Sequence, residues 1–196
     1  MAILDLKIDV DADYVLSALL KHNYFPAHKS DLTELPPVFS STSLNELVAS
    51  GLAVSAGRKE RCGYDSVRYL STRFNNVPRP LSIPHPVPHS RLALCIHDNW
   101  DSLKLIKDNK NSFIRPRVYP DGRLFIMDYG SASKRVVREL KRAFGKRFLV
   151  RADINNCYPS IYTHSIPWAA VGKAAAKTRR GPNEWFNILD KRVSRR

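Results

Sequence analysis

Two adjacent aspartates occur nowhere in this chain of 196 residues, and cysteine is almost as sparse, with 3. Cys62, Cys95 and Cys157 are scattered, with no C-x-x-C pair. That excludes a disulfide framework and points to the reducing cytoplasm. The 6 histidines do not join the cysteines at zinc-ligand spacings, so a zinc module is not expected. No apolar run approaches the roughly 18 residues of a membrane span. Met1-Ala-Ile-Leu-Asp lacks the pattern of a signal peptide. No membrane partner is expected, and neither internal repeats nor low-complexity tracts are found.

Negative charge is also in short supply. Lys and Arg total 32 against 18 Asp and Glu, a formal net charge of +14. The imbalance is not uniform. Residues 1–60 carry 5 basic and 8 acidic side chains, a net of −3, which leaves +17 for the rest. A basic stretch of that length is the electrostatic footprint of a phosphate backbone, RNA or DNA. A merely solvated basic surface has the same composition. With 43% hydrophobic residues the chain can still bury a real core.

Residues 1–60 read as an acidic helical segment whose ordinary role is packing. Tyr14, Leu16, Leu19 and Leu20 recur at helical spacing. Ser43-Leu-Asn-Glu46 reads as a capping box, with Gly51 just past the last apolar turn. Between them Glu34-Leu-Pro-Pro-Val is an extended connector. Residues 61–146 form a second region. Val67 and Tyr69, then Leu81 and Ile83, alternate with polar neighbours and predict a hairpin turning at Phe74-Asn-Asn-Val-Pro. Pro84-His-Pro-Val-Pro88 is expected to break regular structure. A helix from about Ser90 to Lys107 follows, with Leu92, Ile96, Trp100, Leu103 and Ile106 on one face.

A second hairpin, Phe113 to Met127, is expected to turn at Tyr119-Pro-Asp-Gly122. Ser133 to Phe144 then reads as an amphipathic helix closed by Gly145. Val136, Val137, Leu140 and Phe144 are expected to face inward, and Lys134, Arg138, Lys141 and Arg142 outward. Residues 147–196 form the third region. A broken helix is expected from Pro159 to about Lys177, interrupted at Pro167. Thr178 to Pro182 and Lys191 to Arg196 read as poorly ordered basic tails.

The most informative run is Arg147-Phe-Leu-Val-Arg-Ala-Asp153-Ile-Asn-Asn-Cys-Tyr158-Pro-Ser160. An apolar strand, Phe148 to Val150, leads into Asp153. A carboxylate held rigidly at a sheet edge can ligate a hard divalent ion such as magnesium. It can equally cap the turn that follows, a position Asp favours. Spacing alone leaves both readings open.

The longer string from Ala152 to Trp168 resembles motif A of reverse transcriptases, with Ile161-Tyr-Thr-His-Ser-Ile-Pro-Trp-Ala most like the bacterial abortive-infection and defence-associated branch. Arg79-Pro-Leu-Ser-Ile-Pro-His-Pro86 is similar to the first fingers block of that branch, and Glu34-Leu-Pro-Pro-Val-Phe39 to its N-terminal region. The resemblance spans roughly residues 34–177 and is tightest in motif A. It implies an α+β fold: the fingers and a partial palm of a right-hand polymerase, preceded by a helical segment. It implies RNA-directed DNA polymerase activity on an RNA or DNA template-primer with deoxynucleotide triphosphates, using two magnesium ions. These polymerases complete that site with a Tyr-x-Asp-Asp turn, absent here. The chain is therefore expected to be inactive alone: a truncated form, or a subunit whose remaining acids arrive in trans. The alternative is a non-catalytic basic RNA- or DNA-binding module.

Carried over by resemblance, Asp153 is the metal-ligating catalytic acid and Ile154 offers its backbone carbonyl to the nucleotide-bound ion. Tyr158 is the aromatic gate beneath the sugar. Cys157 stands where the branch has Phe, lining the sugar site, although a free Cys is ordinarily a small buried hydrophobe. Arg73 and Arg79 flank the first hairpin turn, where the family binds the triphosphate; a planar guanidinium suits phosphate oxygens. Arg115, Arg117 and Arg123 on the second hairpin are candidates for template-backbone contacts. Tyr119 and Phe125 can stack on bases there or pack as strand aromatics.

Overall fold

The computed structural model describes residues 10–25, 39–54, 63–72, 78–103, 115–125, 132–148, 150, 152, 157–162 and 164–194. The N-terminal pattern folds as helix α1, Ala12–Ser17, which widens into a π-helical turn, Ala18–His22. Asp11 caps it, its carboxylate accepting from the Tyr14 amide at 2.7 Å. Val15, Leu16, Ala18 and Leu20 are all buried.

Helix α2, Glu46–Val54, begins two residues later than a Ser43 capping box requires. Asn45 does the capping instead: its Oδ1 accepts from the Val48 amide at 3.0 Å. Gly51 lies inside the helix rather than past its end. A single glycine costs a helix about 1 kcal/mol, too little to stop one that packs against a neighbour. The extended connector 34–38 lies outside the described residues.

Strands β1, Val67–Thr72, and β2, Pro78–Ile83, pair antiparallel. The expected hairpin is present, and its register sets Val67 opposite Ile83 and Tyr69 opposite Leu81. Pro78 and Pro80 are two residues apart, so their missing N–H groups fall on one edge, which a two-stranded ribbon tolerates. The turn at 73–77 lies outside the described residues.

Pro84 to Pro88 does not break structure as expected. His85 is an N-cap, its Nδ1 accepting from the Val87 amide at 3.2 Å, and Pro86 opens helix α3, Pro86–Asp98. First-turn amides have no intrahelical acceptor, so proline loses nothing there. The long helix then divides at Asn99 into α3 and a short α4, Trp100–Leu103. Ile106 lies outside the described residues.

Val10, Val15, Ala18, Cys95, Trp100, Leu103, Leu124 and Leu189 form the main core, joined by half-buried Leu92, Ile96 and Phe125. A second cluster of Leu16, Leu20, Ala49 and Ala93 seats α2 on α3. Burial at roughly 25 cal/mol per Å² of apolar surface is what holds these elements together. Polar ties fix their register. Trp100 Nε1 donates to the Val10 carbonyl at 2.8 Å, and Arg91 Nε donates to the Ala53 carbonyl at 3.0 Å near the end of α2.

Part of the expected loose tail is helical, since Lys191 to Ser194 close helix α9, Trp185–Ser194, while Arg195 and Arg196 lie outside the described residues. This helix buries Phe186 and Leu189 and packs on α3. The break in the preceding helix also moves. After a single turn, α6, Cys157–Ser160, come α7, Ser165–Val171, and α8, Lys173–Thr178. Pro167 sits buried in the first turn of α7, and the break falls at Gly172, whose φ of +85° favours glycine. Helices and one two-stranded ribbon thus make up the described residues, a composition shared by many folds. None of these helices is long and apolar enough to cross a membrane.

Candidate nucleic-acid interface

Helix α5, Ala132–Ala143, forms where the sequence predicts it, because its residues are good helix formers and Gly145 (φ +71°) ends it. Its placement is not as expected. Val136, Val137 and Leu140 are exposed, and Phe144 is 89% exposed. Periodicity guarantees that an apolar face exists, but burial requires a second element to cover it. None of the described residues of α5 is buried. A shallow groove along it is lined by Ser133, Lys134, Val137, Arg138, Lys141 and Arg142. With Arg135 the helix carries five cations against one acid, Glu139.

The apolar strand predicted at Phe148 to Val150 is likewise absent at its described ends. Phe148 and Val150 are both 85% exposed and neither is in a strand. A strand needs a partner to satisfy its amides, and none of the described residues supplies one there. Asp153 and Ile154 lie outside the described residues, as does Arg73. Tyr158 falls in α6, with its side chain outside the described part. Cys157 is exposed, not a small buried hydrophobe. Arg79 stands in β2 opposite Ser71, its side chain also outside the described part.

The second predicted hairpin is present as its turn. The Gly122 amide donates to the Tyr119 carbonyl at 2.9 Å, and the Arg117 amide to the Leu124 carbonyl at 3.1 Å. No strand is assigned among residues 115–125. The turn is anchored to α1 rather than to a second strand. Tyr14 Oη donates to the Arg123 carbonyl at 2.7 Å, and the Leu124 amide donates to Asn23 Oδ1 at 2.7 Å. Burial pushes the Tyr14 hydroxyl above its ordinary pKa, so it remains a donor. Arg117 is exposed and Arg115 half-buried. The Arg123 guanidinium pairs with Asp121 at 3.2 Å, and Phe125 packs against the core.

Two histidines lie within the packed part of the fold. His89 Nε2 donates to the Leu19 carbonyl at 3.0 Å, and burial holds the imidazole below its ordinary pKa. His97 bridges Asp98 and Asp13, each at 3.1 Å, and its hydrogen bond to Asp98 holds it above that value. Burial raises the Cys95 thiol, which makes it a packing group rather than a nucleophile. Among the described residues no three His, Cys, Asp or Glu side chains cluster to hold a metal. Helix α5 and its flank thus present a cationic, solvent-exposed surface of the kind that suits a phosphate backbone. No family model, no curated protein and no solved structure matches the chain.

Proposed function

We propose that this chain is part of an RNA-directed DNA polymerase of the antiviral-defence type, contributing a template-binding surface and one metal-ligating acid. The observation that carries the reading is continuity. The exposed cationic helix α5 ends at Ala143, and the motif-A-like run opens at Arg147, six residues before Asp153. A phosphate backbone lying on α5 would thus be held close in sequence to the one carboxylate suited to a hard cation. Arg73 and Arg79 would serve the triphosphate, and Tyr158 and Cys157 the sugar.

Magnesium fits this reading only in part. Asp153 is a suitable oxygen donor, but the chain holds no Asp-Asp pair, and the two-ion site would need acids from another polypeptide segment. The same lack favours a second reading, a nucleic-acid-binding module without catalysis. Primer extension separates them. With magnesium and deoxynucleotides the chain alone should not extend a primer. An assembly supplying the missing acids should, and Asp153→Asn should abolish that extension while leaving template binding intact. Extension that survives Asp153→Asn would overturn the polymerase assignment.

A further inference from the structure

The segment after the motif-A-like run places three rings together at the surface. Tyr162, 59% exposed, meets His164 edge-on with ring centroids 5.1 Å apart, and Trp168 at 5.8 Å. Lys173 Nζ lies 5.2 Å from the centre of the Trp168 ring. Rings that serve only packing are ordinarily covered, and Tyr162 is open to solvent.

The cluster is also held in place. His164 Nδ1 lies 2.7 Å from Oδ2 of Asp190, a buried carboxylate on α9, whose other oxygen accepts from Ser194 Oγ at 3.2 Å. The imidazole cannot swing freely while that bond persists, so the edge-on contact with Tyr162 is fixed from the packed side. Charge along this segment is one-sided, and Lys173 stands beside the rings. Residues 160–194 carry 6 Lys and Arg against 2 acids, Glu184 and Asp190. Both acids are engaged, Glu184 by Arg179 and Asp190 by His164.

An open aromatic surface with a lysine beside it, in a basic segment, matches one chemistry well. Bases stack on rings without regard to sequence while the cations track the phosphates. An acidic peptide would use the charge but not the rings. We propose that Tyr162, His164 and Trp168 form a ledge on which the unpaired bases of an RNA strand stack, with Lys173 beside the backbone. The site deepens the nucleic-acid reading above and rests on it. Tyr162 and Trp168 contact the bases, while His164 and Asp190 position the rings.

The test uses the whole chain and two fluorescent probes, a uridine 12-mer and an abasic ribose-phosphate 12-mer of equal charge. The ledge predicts tighter binding of the uridine strand by wild type. Tyr162→Ala should lose about 10-fold on that strand, lose nothing on the abasic one and keep the same salt slope. Tyr162→Phe should bind as wild type, because the ring is retained. Trp168→Phe should keep affinity but remove the quenching of tryptophan emission caused by the uridine strand. Equal losses on both probes, or none on either, would overturn the ledge while leaving salt-dependent binding, and so the wider reading, in place. If wild type binds neither probe, the nucleic-acid reading fails and the ledge with it.

Discussion

The packed body and the segment around α5 use the same kind of helical pattern and reach opposite ends. In the body, the apolar positions of α1, α3 and α9 close on one another, and Val15, Leu20 and Phe186 are completely shielded from water. Along α5 and the residue that follows it, an equally regular stripe of Val136, Val137, Leu140 and Phe144 stays exposed, and the chain continues through exposed Phe148 and Val150. The difference lies in the partners, since amphipathicity supplies a face but not its cover. Charge follows the same division. The body has acids that cap and pair, as Asp11 does for α1 and Asp13 for His97. Helix α5 has one acid among five cations. One region is held together by its own contacts, and the other presents cations and apolar side chains to solvent.

The contrast can be broken most sharply by truncating one phenylalanine in each region. Phe186→Ala should cost about 3–5 kcal/mol, because it leaves a cavity under α9 that the core cannot refill. Phe144→Ala should stay within about 0.5 kcal/mol, as surface changes do. Urea melts of the two variants check both. A comparable loss at Phe144 would mean that α5 is covered after all.

Two glycines sharpen the comparison at intermediate size. Gly122 and Gly145 have φ of +81° and +71°, so an added side chain is strained at each by about 1–2 kcal/mol. Only in the body does the new Cβ also meet a neighbour. At Gly122 it would stand 2.6 Å from Nε2 of His22, whereas at Gly145 nothing lies within 4 Å. Gly122→Ala should therefore lower the melting temperature more than Gly145→Ala. The reverse order would contradict the docking of the 119–122 turn on the π-helical end of α1.

The same body explains what could be read from the residues and what could not. The two strands of the first hairpin are legible, because Val67, Tyr69, Leu81 and Ile83 alternate with polar neighbours, whereas their register is set by the pairing itself. The start of helix α3 is not legible in composition, because the effect of proline depends on its position within a turn. Helix α9 was hidden by its basic residues, although Trp185, Phe186 and Leu189 already mark one face. The cluster around Tyr162 carries an aromatic and basic signature in the sequence, but the bond that orients it joins His164 to Asp190, 26 residues away. Pairings of that range are set by tertiary packing. Asp153, the strongest single residue in the sequence, lies outside the described residues.

A smaller effect, confined to the body, concerns pH. His89 is held below its ordinary pKa of 6.5, so the unfolded chain takes up a proton that the fold resists. Stability should fall as the pH drops through 6.5 towards the lowered value. His97 has the opposite sign: its contribution is complete below 6.5 and is lost as the pH rises through its raised value. Melting His89→Gln and His97→Gln between pH 5 and 8 isolates each. The first variant should lose part of the acid sensitivity and the second part of the alkaline decline. Unchanged profiles would contradict both assignments. Helix α5 carries no histidine, so nucleic-acid binding by that helix should not follow either variant.

Hydrogen exchange on the whole chain, with and without a single-stranded RNA, tests the division between the two regions most directly. The account predicts that amides of residues 132–147 gain protection on binding and lose it again at high salt, while α1, α3 and α9 exchange as before at their core positions. Protection that appears only in the packed body, or binding that leaves 132–147 unchanged, would contradict it.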